Sequence, residues 1–280
     1  MLFLTPRRVL NMYPTFDGSN PFANKVLGYL DAQNSITHSR ESARLGAPVI
    51  KTGHPRFEYL DIGQHASCEM VSVFLDLTGF TSRTFWEDSK DMAILANAVL
   101  GGFTDIVQSF GGHVLGLRGD GLFAGFGPVS SAHKNTDVVL AAAACNKALE
   151  DVRKSLNPQL ENRGIEAVKV RAGLDFGTHT FTRTGTRESN EVNVVGFASN
   201  FAAKCEKLAA SWEIVVGEEF ADRIADKKLL SAEGKRPKSF TSKGQTKLYS
   251  YFGYRSPVKP EQFRSVIEEL NGRALDEVFS

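Results

Sequence analysis

The chain has 280 residues, 42% of them hydrophobic and 23% charged, enough to bury a full core in one large domain with appendages. A net charge of +1 supplies no electrostatic case for a nucleic-acid or membrane partner. Three widely spaced cysteines, Cys68, Cys145 and Cys205, argue against a disulfide framework or a zinc site and fit reduced thiols in a cytoplasm.

The start, Met1-Leu2-Phe3-Leu4-Thr5-Pro6-Arg7-Arg8, places its basic pair after too short an apolar run for a secretory signal. No segment approaches the ~20 consecutive apolar residues of a membrane span, so the expectation is a soluble cytoplasmic protein. Residues 1–66 form an N-terminal extension in which Pro14, Pro21, Pro48 and Pro55 punctuate one helix from about Ala23 to Ser42. Its Val26, Leu27, Leu30 and Ile36 are roughly periodic and are expected to pack on a main domain or a partner subunit.

The main domain is expected over residues 67–252, followed by a tail, 253–280. An apolar run from Glu69 to Asp76 suits a buried strand ended by Thr78 and Gly79. Met92, Leu95, Val99, Phe103, Ile106, Val107 and Phe110 then make the stripe of an amphipathic helix, stopped by Gly111-Gly112. His113 to Arg118 and Leu122 to Phe126 read as strands joined at Gly119-Asp120-Gly121. A helix over about Thr136 to Ser155, strands at Val168–Asp175 and Asn190–Val195, and a helix over Phe197–Ala210 follow. Ile214-Val215-Val216 and Leu248 to Phe252 look like closing strands. This order predicts an α+β sandwich with helices on one face of a mostly antiparallel sheet.

Asp76 and Asp120 both follow apolar strands expected to lie side by side. Alone, Asp76 would suit a helix N-cap and Asp120 a hairpin turn. Together, at a sheet rim with accessible backbone around them, they are what holding Mg²⁺ or Mn²⁺ against a triphosphate requires. The amides of Thr78, Gly79, Phe80 and Thr81 open a helix and suit phosphate oxygens.

At these residues the chain resembles the class III nucleotidyl cyclases. Phe74-Leu75-Asp76-Leu77-Thr78-Gly79-Phe80-Thr81 is similar to that family's first metal motif, and Gly111-Gly112-His113-Val114 through Gly119-Asp120 to its second. The resemblance continues in family order through Val170-Arg171-Ala172-Gly173-Leu174, Val194-Val195-Gly196 with Asn200-Phe201-Ala202-Ala203-Lys204, and Ser242-Lys243-Gly244-Gln245. It implies a ferredoxin-like cyclase domain acting as a head-to-tail homodimer with sites at the shared interface, using two Mn²⁺ or Mg²⁺ ions per site. It also implies that Asp76, Leu77 and Asp120 hold metal, that Asn200 orients the ribose, and that Lys243 contacts the triphosphate. Lys204 stands where the family has an arginine that neutralises charge on the α-phosphate; an ammonium supplies charge without the guanidinium fork, so slower turnover is expected.

The positions that read a purine in the family are Gly116 and Asn193 here. A glycine offers no side-chain hydrogen bond, and a site that loses one forfeits discrimination of up to roughly 10⁴-fold. Asn193 can present either end of its amide, to uracil or to cytosine. Arg118 is on the same face as Gly116 by strand alternation, where it either reaches into the vacated space or pairs with an acid at the sheet edge. Tyr59, from the extension, is a candidate to fill the gap.

This combination resembles the bacterial pyrimidine cyclases of the Pycsar antiphage systems. It implies UTP, or less favourably CTP, as substrate and a cyclic-UMP or cyclic-CMP signal for a separate effector. The rivals are an adenylate cyclase with an atypical base pocket and a non-catalytic nucleotide-sensing dimer. An RNA-binding ferredoxin-like domain lacks the basic and aromatic strand pattern it would need.

Overall fold

The computed structural model describes residues 21–36, 52–129 and 135–256, with side chains on the first helix through Asp31. The expected helix ends beyond Ile36, and most of the C-terminal tail, lie outside the described residues.

Helix α1 (Pro21–Ile36) is followed by a strap, residues 52–64, and then by β1 (His65–Leu77), α2 (Phe80–Trp86), α3 (Ser89–Ser109), β2 (His113–Arg118) and β3 (Gly121–Phe126). Next come α4 (Thr136–Asp151), a π-helical turn, α5 (Asn157–Asn162), β4 (Val170–Gly185), β5 (Asn190–Val195) and α6 (Phe197–Leu208). The described chain closes with β6 (Ile214–Gly217), α7 (Glu218–Asp222), β7 (Leu230–Ser231), the hairpin β8 (Lys238–Ser242) and β9 (Gln245–Tyr249), and β10 (Tyr251–Tyr254). The main sheet runs β2-β3-β1-β4-β6-β10-β7, with β5 paired to β4. Its pairings are antiparallel except for β4 with β6, which makes the sheet mixed.

Alternation sorts β1 and β4 into two faces. Val71, Val73, Leu75 and Leu77, with Val170, Ala172, Leu174 and Phe176, form one apolar face against α3 and α4. Helix α3 is long and apolar enough to cross a membrane by length and composition, contrary to the sequence reading, but its apolar residues are the core of this layer. Helix α1 packs on its outer side, where a Cβ on Gly102 would stand 2.6 Å from Phe22 and 2.7 Å from Val26, so the helices approach at a glycine.

Helices do not stay on one face as expected, because α6 lies across the other. A Cβ on Gly173 would stand 2.0 Å from the Glu206 nitrogen and 2.3 Å from the Ala202 oxygen, so β4 touches the α6 backbone where a side chain is missing. Two strands also run longer than expected. The segment His65-Ala66-Ser67-Cys68 and the Gly- and Thr-rich half of β4 have no apolar run, yet they pair from His65↔Thr182 to Met70↔Gly177. The strap supports this extension: Arg183 donates to the Leu60 carbonyl at 2.5 Å and to the Glu58 carbonyl at 2.6 Å, while Phe57 and Leu60 are buried with Met70 and Phe181. The single closing strand expected at 248–252 is instead two, β9 and β10, separated by Ser250.

Candidate active site

Asp76 stands near the end of β1, opposite Gly121 on one side and Arg171 on the other. Asp120 occupies the β2–β3 turn, and its carbonyl accepts from the Leu77 amide at 3.2 Å. The acids are close enough that burial, then the neighbouring Asp76 charge, raises the Asp120 carboxyl above its usual range. Asp76 caps no helix, since the N-cap of α2 is Gly79 at φ 76°, a left-handed conformation suited to glycine. The Leu77 side chain is buried, which leaves only its carbonyl as a possible ligand.

The phosphate loop is partly spoken for. Thr78 donates its amide to the Lys169 carbonyl at 2.7 Å, so that N–H does not serve as expected. Gly79, Phe80 and Thr81 open α2 with amides that have no acceptor inside the helix. The Thr78 hydroxyl is buried without a hydrogen-bond partner. Among the described residues no group of three His, Cys, Asp or Glu side chains gathers as a metal cluster. The donors do fit a hard divalent ion that keeps phosphate or water oxygens in its shell: two like-charged carboxylates held together, and main-chain oxygens at the strand end.

Two residues that sequence reasoning passed over complete this corner. Arg171 donates from Nε and Nη2 to Oδ2 of Asp76 at 3.1 and 2.9 Å, and its Nη2 also lies 2.6 Å from Glu206 Oε1. Glu206 is buried on the inner side of α6, where burial and then the Asp76 charge push its carboxyl up to about 7. The available signals were Arg171 two positions before Gly173, which sets it on the same strand face, and an acid among the inward positions of α6.

Asn200 and Lys204 lie on the exposed side of α6, away from Ala202 and Glu206, which face β4. They therefore do not join the Asp76–Asp120 pair within one chain. Lys243 is exposed at the tip of the β8–β9 hairpin, where Lys243 (φ 51°) and Gly244 (φ 74°) make a two-residue turn. That hairpin is tied to α6 through Phe240 and Tyr249, which pack on Phe197 and Phe201.

Of the base-selecting positions, Gly116 and Arg118 lie on the Asp76 face, whereas Asn193 pairs with Thr182 and so belongs by register to the opposite one. A bulge between Val114 and Gly116 shifts the β2 register, so Gly116 pairs with Phe123 and Arg118 with Gly121. Phe123 stacks on Phe74 with ring centroids 4.6 Å apart, and a Cβ on Gly116 would meet nothing within 4 Å. Arg118 does not fill that space; it is 84% exposed and lies 3.4 Å from Glu191, the acid-paired alternative. Asn193, two residues along β5 from that acid, is exposed and accepts from the Val194 amide at 2.8 Å. Tyr59 is 70% exposed and does not occupy the gap either.

No family model matches the chain. It is 24% identical over 202 residues to a cytidylate cyclase of Escherichia coli, covering 69% of this chain and 43% of that protein. It is 26% identical over 157 residues to a uridylate cyclase of Burkholderia cepacia, covering 55% of this chain and 66% of that one. The adenylyl cyclase CyaB from P. aeruginosa superposes with a TM-score of 0.59 at 21% identity, covering 70% of this chain and 98% of that structure. The chain has the class III nucleotidyl cyclase fold and is similar in sequence to these nucleotidyl cyclases. Its sheet, mixed rather than wholly antiparallel, is the class III cyclase sheet, and the strap and α1 are packed on that cyclase fold. Because the chain spans less than half of the E. coli relative, the activity of the whole protein is a matter for proposal.

Proposed function

We propose that this cyclase domain converts a pyrimidine nucleoside triphosphate, UTP ahead of CTP, into the 3′,5′-cyclic nucleotide and pyrophosphate. The observation that carries the reading is the open space at Gly116, beside the Phe74–Phe123 stack and on the sheet face of Asp76, where no side chain reads a purine edge. The relatives that are cytidylate and uridylate cyclases support the same class of base.

In this reading Asp76, Asp120 and the Leu77 carbonyl hold Mn²⁺ or Mg²⁺. Such ions lower the pKa of the ribose 3′-hydroxyl and neutralise the triphosphate. The amides of Gly79, Phe80 and Thr81 bind phosphate oxygens, with Lys243 adding charge. Asn200 orients the ribose for in-line attack of O3′ on the α-phosphorus, and Lys204 offsets charge as the bond to pyrophosphate breaks. The 3′ proton leaves to solvent. Since Asn200 and Lys204 face away from Asp76 in one chain, a complete site takes α6 from a second copy, as in a head-to-tail homodimer. The proposed setting is cytoplasmic, with the cyclic nucleotide passed to a separate effector in antiphage defence.

Purified protein incubated separately with UTP, CTP, GTP and ATP plus Mn²⁺ tests this. Cyclic UMP as the main product is expected, and cyclic CMP would keep the class while changing the base. Cyclic AMP as main product would remove the pyrimidine reading. Tight nucleotide binding with no pyrophosphate from any of the four would favour a sensor.

A further inference from the structure

We infer that the segment 261–271, beyond the described residues, docks as a helix on its own domain, in a groove beside Trp212 between α4 and the end of β10. The inference does not depend on the nucleotide reading, and it assigns a face which that reading leaves without a role.

The groove lies where the described chain leaves the fold. Ser256 follows β10 and is itself part of the wall of a cavity of about 260 Å³. In that lining Leu149 of α4 and Ile214 of β6 are buried, Trp212 and Tyr254 are half-buried, and Arg153 and Arg255 are exposed. Ligand pockets usually have roughly 300–1,000 Å³, so this one suits one or two side chains better than a nucleotide. Trp212 is presented there by a left-handed backbone, φ 69°, which a bulky residue rarely adopts. Its amide donates to the Val170 carbonyl at 2.7 Å, at the start of β4, and the Arg153 guanidinium stands 5.8 Å from its ring centroid. A half-buried indole fixed in this way is the kind of anchor on which interfaces are centred.

The sequence that follows supplies a matching occupant. Pro257-Val258-Lys259-Pro260 is a spacer whose four residues reach at most about 14 Å, which keeps what comes next beside the groove. Pro260 and Glu261 then make a helix start, and Asn271-Gly272 a helix stop. Between them Phe263, Val266, Ile267 and Leu270 recur at i, i+3, i+4 and i+7, a single apolar stripe. A helix this short is not stable in water by itself, so it forms by burying that stripe. Glu261, Glu268 and Glu269 outweigh the one base, Arg264, and complement Arg153 and Arg255 at the groove.

Trp212 provides the test, because the chain has only two tryptophans and the other, Trp86, is 81% exposed. In a full-length Trp86→Phe background, acrylamide quenching reads Trp212 alone, with thermal melting recorded alongside. Ile267→Asp puts a charge in the stripe and is expected to raise the quenching constant about 3-fold and red-shift the emission, as the indole passes from apolar contact to water. Ser265→Asp adds the same charge on the opposite side of the helix and is expected to leave both unchanged. Unchanged quenching in Ile267→Asp, or an equal rise in Ser265→Asp, overturns the proposal and leaves the groove to another partner. Should Ile267→Asp melt below the assay temperature, Ile267→Ala decides in its place, with a smaller rise expected and none overturning. The last arm mixes Ile267→Asp with an excess of a tryptophan-free copy, Trp86→Phe with Trp212→Phe, whose tail is intact. Quenching that stays high supports docking within one chain; restored protection would show that a second copy supplies the helix and overturns the assignment to the same chain.

Discussion

On β4, Gly173 and Leu174 are neighbours that point to opposite faces of the sheet, and their surroundings have little in common. Leu174 is buried among Val73, Val216 and the helices of the apolar layer. Gly173 has no side chain because the α6 backbone occupies that volume, and beside it on the same face stand Arg171, Asp76 and Asp175. The apolar face contributes burial, roughly 1.5–3 kcal/mol for each large side chain removed from water. The opposite face sets charges and glycines beside two smaller apolar clusters, one around Phe201 on α6 and one around Phe181 under the strap, and so combines burial with groups that can bind a ligand. The difference teaches that this sheet obtains stability and chemistry from alternate residues of the same strands.

Substitutions on the two faces should therefore separate activity from stability. The largest effect is expected from Asp76→Ala, which should abolish cyclic-nucleotide formation while the melting curve shifts little. A variant retaining wild-type turnover would sink the site assignment. Mixing it with Asn200→Ala should restore part of the activity through heterodimers that regain one whole site, and no recovery in demonstrated heterodimers would count against a shared site. On the apolar face, Leu174→Ala should cost about 4 kcal/mol in denaturant unfolding, the scale of a leucine deletion in a core. A loss below about 1 kcal/mol would mean that this layer is less tightly packed than described. Gly173→Ala should cost about 3 kcal/mol, since its methyl meets backbone rather than a flexible side chain. It should also reduce turnover by displacing α6, and wild-type stability would show that the helix can slide.

Asp175 sharpens the contrast through pH. It is fully buried, accepts from Tyr249 Oη at 3.0 Å and from the Phe176 amide at 2.9 Å, and burial pushes its carboxyl up to about 7. A carboxyl raised in the folded state binds its proton more tightly there than in the unfolded chain. Its contribution is thus full below pH 4 and is lost as pH rises to about 7. Asp175→Asn should flatten that fall, worth roughly 4 kcal/mol at most, so the variant gains on wild type between pH 5 and 8 in chemical denaturation. Parallel pH curves for the two proteins would contradict the buried-acid account. The smallest effect is expected at the exposed Arg118–Glu191 pair, where Arg118→Ala should change stability by less than about 1 kcal/mol. A larger loss would show that the pair does more than decorate the sheet edge.

Strands with clear alternation or apolar runs were legible without coordinates. Asn190–Val195 was expected as a strand and is β5 over the same residues, and the β2–β3 hairpin was read to within a residue at the start of β3. The distal halves of β1 and β4 were not legible. Ser, Thr and Gly there carry no local preference strong enough to mark a strand, and the partner ladder with the strap supplies the missing stabilisation. Arg171 and Glu206 escaped notice for a related reason: their meeting at Asp76 depends on the β1–β4 register and on the depth to which α6 sinks onto Gly173.

By itself the chain's residue order determined the short-range features: two aspartates after apolar strands, a glycine turn into α2, a glycine at position 116 on the strand that leads to Asp120. Hydrophobic periodicity and turn chemistry act over a few residues, so these features survive in a linear reading. Only the tertiary structure decided that α6 crosses the second face, that Arg118 turns to Glu191 rather than toward Gly116, and that an arginine and a buried glutamate grip Asp76. Those outcomes depend on which strand edges pair and how closely a helix packs, contacts between residues far apart in the chain that no local pattern encodes.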